Sequence, residues 1–417
     1  MKSLSVLVYP VLISAGNYRF GTNVRVNDDP PGQAYHNVYS SGAHTIAARG
    51  DTVYIAYRGD QTPLSTIYFS KSTDCGRTWS PGLRVSYPEH GILQALTVDP
   101  KGNIYIVYTH VTGSNARDIH FTKSTDGGLS FSTPITVNDT IIDTQQCPTI
   151  AVDTSGQKVF VAWEDFRNYN TSGIDIYFAR STDGGITFLP SVRVDDTGND
   201  SSWQWQPGIA VDRGGSNVYV TWQDERNYRL KGEDIYFSRS TNGGVSFLPN
   251  VLVNDTATTG SSHQWQATIA VDTLGRIFIA WQDYRIGNQG CFFARSDDGG
   301  LSFGRNVKVS SPNLNIDLPS IAVDDSNGVY ITWGGDHRTV ADRIYFAFSP
   351  NAGDSFLPNV KVDDLPNSQS AWLWFPTLAI NKDKKVFVAW QDDRYNHMSG
   401  NYDILFALGT YVGIEEA

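Results

Sequence analysis

The sequence is short of cysteine, methionine, positive charge and long apolar runs, and each shortage removes a class of protein. Its three cysteines, Cys75, Cys147 and Cys291, are an odd number with no Cys-x-x-Cys pair, so it has neither a disulfide framework nor a zinc-binding spacing. Buried or indifferent thiols are the expectation, with no metal and no cofactor. No apolar run approaches the roughly 20 residues of a membrane-spanning helix. Lys and Arg number 32 against 43 Asp and Glu, a net charge of −11. Such a surface repels phosphate backbones and anionic lipid, which argues against nucleic acid or membrane as the main partner. With 2 Met and 38 Gly, the composition suits short strands and tight turns better than packed helices.

Repetition is what the sequence has in abundance. One unit reads Pro148-Thr149-Ile150-Ala151-Val152-Asp153, Val159-Phe160-Val161-Ala162-Trp163, Asp175-Ile176-Tyr177-Phe178-Ala179-Arg180 and Ser191-Val192-Arg193-Val194. These β-branched and aromatic runs, bounded by Gly, Asp, Asn or Pro, read as four strands, a to d. The Ile-like residue of strand a recurs at Ile46, Leu96, Ile150, Ile209, Ile269, Ile321 and Leu378, 50 to 60 residues apart. Strand b ends seven times on an aromatic, from Tyr57 and Tyr108 to Trp390, and strand c centres seven times on Phe. Strand d follows strand c only six times. Its missing copy stands ahead of the first strand a, where Asn23-Val24-Arg25-Val26-Asn27-Asp28 matches Asn250-Val251-Leu252-Val253-Asn254-Asp255. The count predicts an all-β, seven-bladed β-propeller with four-stranded antiparallel blades, one domain over 17–417. It is closed by the strand at about 23–28 lying beside the one around Phe406.

Between strands c and d runs a second signature, Ser-x-Asp-x-Gly-x-Ser/Thr-Phe/Trp, as in Ser124-Thr125-Asp126-Gly127-Gly128-Leu129-Ser130-Phe131. Its acid position holds Asp74, Asp126, Asp183, Asn242, Asp298 and Asn351. The Asp accepts backbone N–H groups of the turn, Gly supplies a positive φ and the aromatic packs into the blade, so these residues are structural. The motif, six times at blade spacing, resembles the Asp-box (BNR) repeat of the sialidase superfamily. The resemblance implies boxes on the rim opposite the ligand face. It also implies, for sialidases, three arginines on a sugar carboxylate, a Tyr–Glu nucleophile and an Asp acid/base. The family's Phe/Tyr-Arg-Ile-Pro marker is missing. Asn17-Tyr18-Arg19-Phe20 lacks the Ile-Pro and precedes the closing strand, and sialidases have six blades. Seven-bladed Asp-box propellers include xyloglucan-cleaving glucanases and non-catalytic assembly factors, so fold transfers more firmly than activity.

In such a ring strand a lines the axis, and the b–c and d–a loops gather at one mouth of the channel. After strand b come Trp163-Glu164-Asp165-Phe166-Arg167, Trp222-Gln223-Asp224-Glu225-Arg226, Trp281-Gln282-Asp283-Tyr284-Arg285 and Trp390-Gln391-Asp392-Asp393-Arg394, with a degenerate Trp333…Arg338. A motif repeated in most blades reads as an inter-blade clasp. Function is expected where the repeat breaks. Four residues before the Ile-like position stand Gly42, Ile92, Gln146, Trp205, Trp265, Asp317 and Trp374. Two residues earlier stand Ser40, His90, Thr144, Trp203, His263, Asn315 and Trp372. Trp203, Trp205, His263, Trp265, Trp372, Trp374 and Gln146 suit the C–H faces and hydroxyls of sugars. The candidate acids are Asp317, alone at its ring position, then Glu164 and Glu225, which break their consensus and are expected to be solvated.

Residues 1–16 resemble a secretory signal, with Lys2, an apolar stretch and Ser14-Ala15-Gly16. Two functions follow. The first is a secreted or periplasmic monomer that binds a glycan or a protein at the mouth. The second is an exo-acting glycoside hydrolase, sialidase-like or with a glucanase-like acid pair, using Asp317 as its acid.

Overall fold

Short β-branched runs separated by Gly and Asp turns fold as the repeat requires. The computed structural model describes residues 17–39, 44–60, 64–86, 88–113, 116–198, 202–255, 262–285, 289–311, 316–335 and 342–413, without the side chains of Lys231 and Asp317. The signal-like residues 1–16 lie outside them. Seven antiparallel sheets follow one another along the chain, each built in the order a, b, c, d. Blade four is typical, with strands Gln204–Val211, Val218–Asp224, Asp234–Ser240 and Val251–Leu252. Strand b is the spine of each blade. Val159–Asp165 is buried throughout, which is why it reads as a continuous apolar run and not as an alternation. Strand d has only two residues in each of blades one to six, and so short an outer edge resists pairing with another chain. Among the described residues the only helix is the single turn Tyr228–Lys231. No helix is long and apolar enough to cross a membrane.

The ring closes as expected. Val24 pairs with Phe406 and Arg25 with Leu405, so the first strands complete blade seven. The closing edge is longer than the repeat indicates. Asn17–Phe20 pairs with the far end of the same partner, Asn17 opposite Val412 and Phe20 opposite Gly409. Tyr18 anchors it, 2% exposed, meeting Tyr330, Phe346, Phe348 and Tyr411 edge-on at 5.2 to 5.8 Å. Such aromatic pairs contribute roughly 0.5–1.5 kcal/mol each beyond their buried area.

Strands a from all seven blades line an open cavity of about 310 Å³ on the axis, to which Ile46, Leu96, Ile150, Ile209, Ala270, Ile321 and Leu378 contribute. The Ser-x-Asp turns form at the end of the blades away from the mouth. Asp126 accepts N–H groups of Leu129 and Ser130 at 2.9 and 3.0 Å, while Ser124 accepts from Gly128 at 2.8 Å. Phe131 packs edge-on against Phe69 of the preceding blade at 5.2 Å. Gly128, at φ 83°, admits no side chain, because a Cβ there would lie 2.4 Å from the Phe69 ring. Asn242 and Asn351 make the same turn bonds with their amide oxygens. All three cysteines are buried and none is in a disulfide.

Blade one departs from the pattern. Its strand a is split into His36–Asn37 and Ile46–Arg49, both paired with Thr52–Gly59. Register puts Asn37 opposite Arg58, so Asn37, and not Gly42, occupies the ring position. Ser40 and Gly42 lie outside the described residues. Tyr39 follows Asn37 two residues later, beyond the end of the paired segment.

Candidate functional site at the channel mouth

In six blades the start of strand a pairs with the end of strand b just before a bulge. The pairs are Ile92 with Thr109, Gln146 with Glu164, Trp205 with Gln223, Trp265 with Gln282, Asp317 with Gly334 and Trp374 with Gln391. The next residue in each, Leu93, Cys147, Gln206, Gln266, Leu318 and Phe375, is left-handed at φ 45° to 57°, although none is glycine. Such a conformation costs about 1–3 kcal/mol and persists only where neighbours impose it. Here the preceding blade does so twice. Glu164 Oε1 accepts the Gln206 N–H at 2.8 Å, and Gln266 Oε1 accepts the Leu318 N–H at 3.2 Å. The bulge re-aims the strand around the mouth.

Blades two and three give the mouth a polar arc. Glu164 was expected to be solvated, and the structure corrects this: it is 1% exposed. Burial pushes its carboxyl up to about 7, against the pull of the Gln206 N–H, the Gln146 amide at 2.9 Å, Cys147 and the Arg117 charge. Arg117 donates in turn to the Gln146 oxygen, and among the described residues no carboxylate lies within ion-pair distance of it. Tyr39 reaches over from blade one, its hydroxyl accepting from Gln206 Nε2 at 3.1 Å and its ring 4.7 Å from Phe375 of blade seven.

Blades four, five and seven give an aromatic arc. Trp203, 37% exposed, stacks on Tyr169 at 6.1 Å and meets Trp205 edge-on at 5.6 Å. Trp205 donates its indole N–H to Glu225 at 3.0 Å. Burial holds the Glu225 carboxyl above its usual range, and it is half-buried, not solvated as expected. In blade five, Trp265 lies among His263 and Tyr284, and His263 is hydrogen-bonded to Glu233. In blade seven, Trp372 and Trp374 stack at 5.6 Å with planes 8° apart, Trp374 also stacks on Tyr402, and its N–H goes to Asp342 at 2.8 Å. Asp317 is in register at the ring position of blade six, between Trp265 and Trp374 in blade order. Its side chain lies outside the described residues, as do Asn315 and Arg338.

The repeated Trp-x-Asp-x-Arg segments are clasps. Trp163 donates to Asp165 at 2.8 Å, Arg167 grips the same carboxylate with two nitrogens, and its guanidinium lies 4.0 Å over Tyr177. Its remaining nitrogen reaches Asp139 of blade two at 3.0 Å. Arg226, Arg285 and Arg394 repeat this with Asp196, Asp255 and Asp364 of their preceding blades. Each of these four arginines already holds two carboxylates, so they form no converging trio for a sugar acid. The sequence reading missed Tyr39, Arg117, Glu233 and Asp342. The last three stand where the b–c connection meets strand c, Arg117 as its first residue and Glu233 and Asp342 just before it, a stretch where the repeat is least regular, whereas nothing short of the split strand marks Tyr39.

No family model matches the sequence, and no curated protein matches it. Solved structures do. An ulvan lyase of a new polysaccharide lyase family is 14% identical, with a TM-score of 0.56 over 91% of this chain and 94% of that one. The polysaccharide lyase Uly1 is 10% identical, with a TM-score of 0.59 over 93% and 94%. The α-L-arabinanase of Penicillium chrysogenum, complexed with arabinobiose, is 13% identical, with a TM-score of 0.53 over 94% and 98%. At these identities the likeness establishes the fold, shared with propellers whose described activities are on carbohydrate.

Proposed function

We propose that the channel mouth binds a glycan, with the tryptophans of blades four, five and seven as its platform and the polar arc as its directional contacts. One observation carries this. Thr109 Oγ1, Gln206 Oε1, Trp265 Nε1, Gln282 Oε1 and Gln391 Oε1, from blades two, four, five and seven, are buried without a hydrogen-bond partner among the described residues. All five lie at ring positions, beside them or opposite them in the register. Buried polar atoms are nearly always satisfied, so donors and acceptors left over beneath flat aromatic faces suit a mouth whose polar ring re-pairs around a hydroxyl-rich ligand stacked on the exposed Trp203 and the Trp372–Trp374 pair. Secretion, a monomeric state and kinship with the Asp-box propellers belong to the same reading.

Glu164 supports a second reading, a glycoside hydrolase. A carboxyl that keeps its proton to about pH 7 has the pKa of a general acid, with Asp317 or Glu225 as the second acid. The test combines a glycan array with a screen for released sugars over sialosides, β-glucans and plant glycans, using Trp265→Ala, Glu164→Gln and Asp317→Asn. Array binding lost in Trp265→Ala without sugar release supports the binder. Release abolished by Glu164→Gln or Asp317→Asn supports the enzyme. Silence in both assays sinks the glycan proposal.

A further inference from the structure

We propose that blade two holds one divalent transition-metal ion of the zinc type between His110 and His120, with Glu89 as the carboxylate behind His120. The proposal does not depend on the mouth binding a glycan. It starts from a clasp that has been chemically rewritten. Register equates Tyr108 with Trp163, His110 with Asp165 and His120 with Tyr177, since His120 pairs with Tyr108 as Tyr177 does with Trp163. Thr112 stands where the other clasps have arginine. The acid, the arginine and the ring beneath it are all gone, replaced by two imidazoles and by Glu89 from the d–a loop.

One donor atom from each of Glu89, His110 and His120 lies within 4.8 Å of the others. Glu89 Oε2 accepts from the Tyr108 hydroxyl at 2.7 Å and stands 2.9 Å from His120 Nδ1. That contact places the His120 proton on Nδ1, so Nε2 carries the lone pair, and a carboxylate behind a ligating histidine is the usual outer-shell support. Nε2 of His120 faces Nδ1 of His110 at 3.2 Å. Two nitrogens bound tetrahedrally at about 2.0–2.1 Å stand about 3.3 Å apart, so the pair already has the separation a zinc ion needs. Glu89, bonded to Nδ1 on the far side of the ring from Nε2, is therefore the outer-shell partner of His120 and not a ligand, and water completes the ion's coordination. No lysine or arginine among the described residues pairs with Glu89. The other cluster of this composition, Asp29, His36 and Asp403, already contains a cation: Arg25 reaches Asp403 at 3.2 Å, and Asn27 and Gly32 also donate to that carboxylate. The two histidines sit on paired strands, so the site is held rigid before any ion arrives.

The test is titration of the chelator-treated full chain with Co2+, read by the visible bands of tetrahedral cobalt, followed by displacement with Zn2+. One equivalent is expected. His110→Ala and His120→Ala should abolish the bands, and Glu89→Gln should weaken affinity by about 10–100-fold. His397→Ala should change nothing. Each variant is checked by its metal-free thermal midpoint. If the histidine variants fail to fold, the Glu89→Gln affinity alone decides. Absence of cobalt uptake by the wild type, binding unaltered in Glu89→Gln, or bands that persist without His110 and His120 overturns the site.

Discussion

The aromatic arc of blades four, five and seven and the polar arc of blades two and three stand on one backbone register but hold their side chains by different means. Trp205, Trp265 and Trp374 are fixed by ring contacts and at most one hydrogen bond each. Gln146 and Glu164, at the same register positions, are fixed by a chain of hydrogen bonds from Arg117 to Gln206. A blade needs the cross-strand pair and the left-handed residue after it, and the side chains at that level are free to differ. The aromatic arc should therefore respond to loss of surface, and the polar arc to pH and to loss of single donors.

The largest contrast should come from the clasps. Asp283→Ala in blade five strands the buried Trp281 donor and takes one of two carboxylates from the half-buried Arg285, and should cost about 3 kcal/mol in denaturant unfolding, whereas His110→Ala in blade two, with no arginine to unpair, should cost about 1 kcal/mol. Equal losses would erase the distinction between clasped and rewritten blades. Next comes pH. Glu164 titrates near 4.5 when unfolded and near 7 when folded. The folded state thus holds a proton that the unfolded state releases between those values. The stability this contributes is fully present below pH 4.5 and is lost as pH rises through 7. Glu164→Gln lacks that loss, so its stability relative to wild type should improve by about 3 kcal/mol across the window, read from unfolding curves at several pH values. A flat difference would show that the carboxyl is not desolvated.

A third prediction concerns the ligand. Trp265→Ala should weaken glycan binding by about 2 kcal/mol on an array or by calorimetry, while leaving the pH dependence of stability untouched. The smallest effect belongs to the bridge between the arcs. Tyr39→Phe removes the hydroxyl that accepts from Gln206 and should cost about 1 kcal/mol, with the Phe375 contact retained.

The blade count, the closing strand opposite Phe406 and the structural Ser-x-Asp turns were legible because each rests on local pattern repeated six or seven times. Glu164 was misjudged for the same reason. Spacing identified it as a consensus break but carried no information on depth, which is set by the Gln206 backbone of the next blade 42 residues away. Asn37 was missed because the inserted stretch before Ile46 shifts the register of blade one, and counting back from an Ile-like residue assumes that no insertion intervenes. The His110–His120 pair could not be seen either. The two imidazoles are ten residues apart in the chain, and only strand pairing brings them together.

The closing edge has a consequence for how the molecule is made. Asn17–Phe20 and Val24–Arg25 leave the ribosome well before their hydrogen-bonding partner, Asp403–Val412, because all the intervening blades lie between them in the chain. While the intervening blades are synthesised these segments have an unmatched backbone, and blades one to six must form beside an incomplete neighbour. Contacts so distant in sequence are slow to find. The final turn of the circle is therefore a late, concerted event, and a nascent chain stalled before residue 403 should remain an open arc.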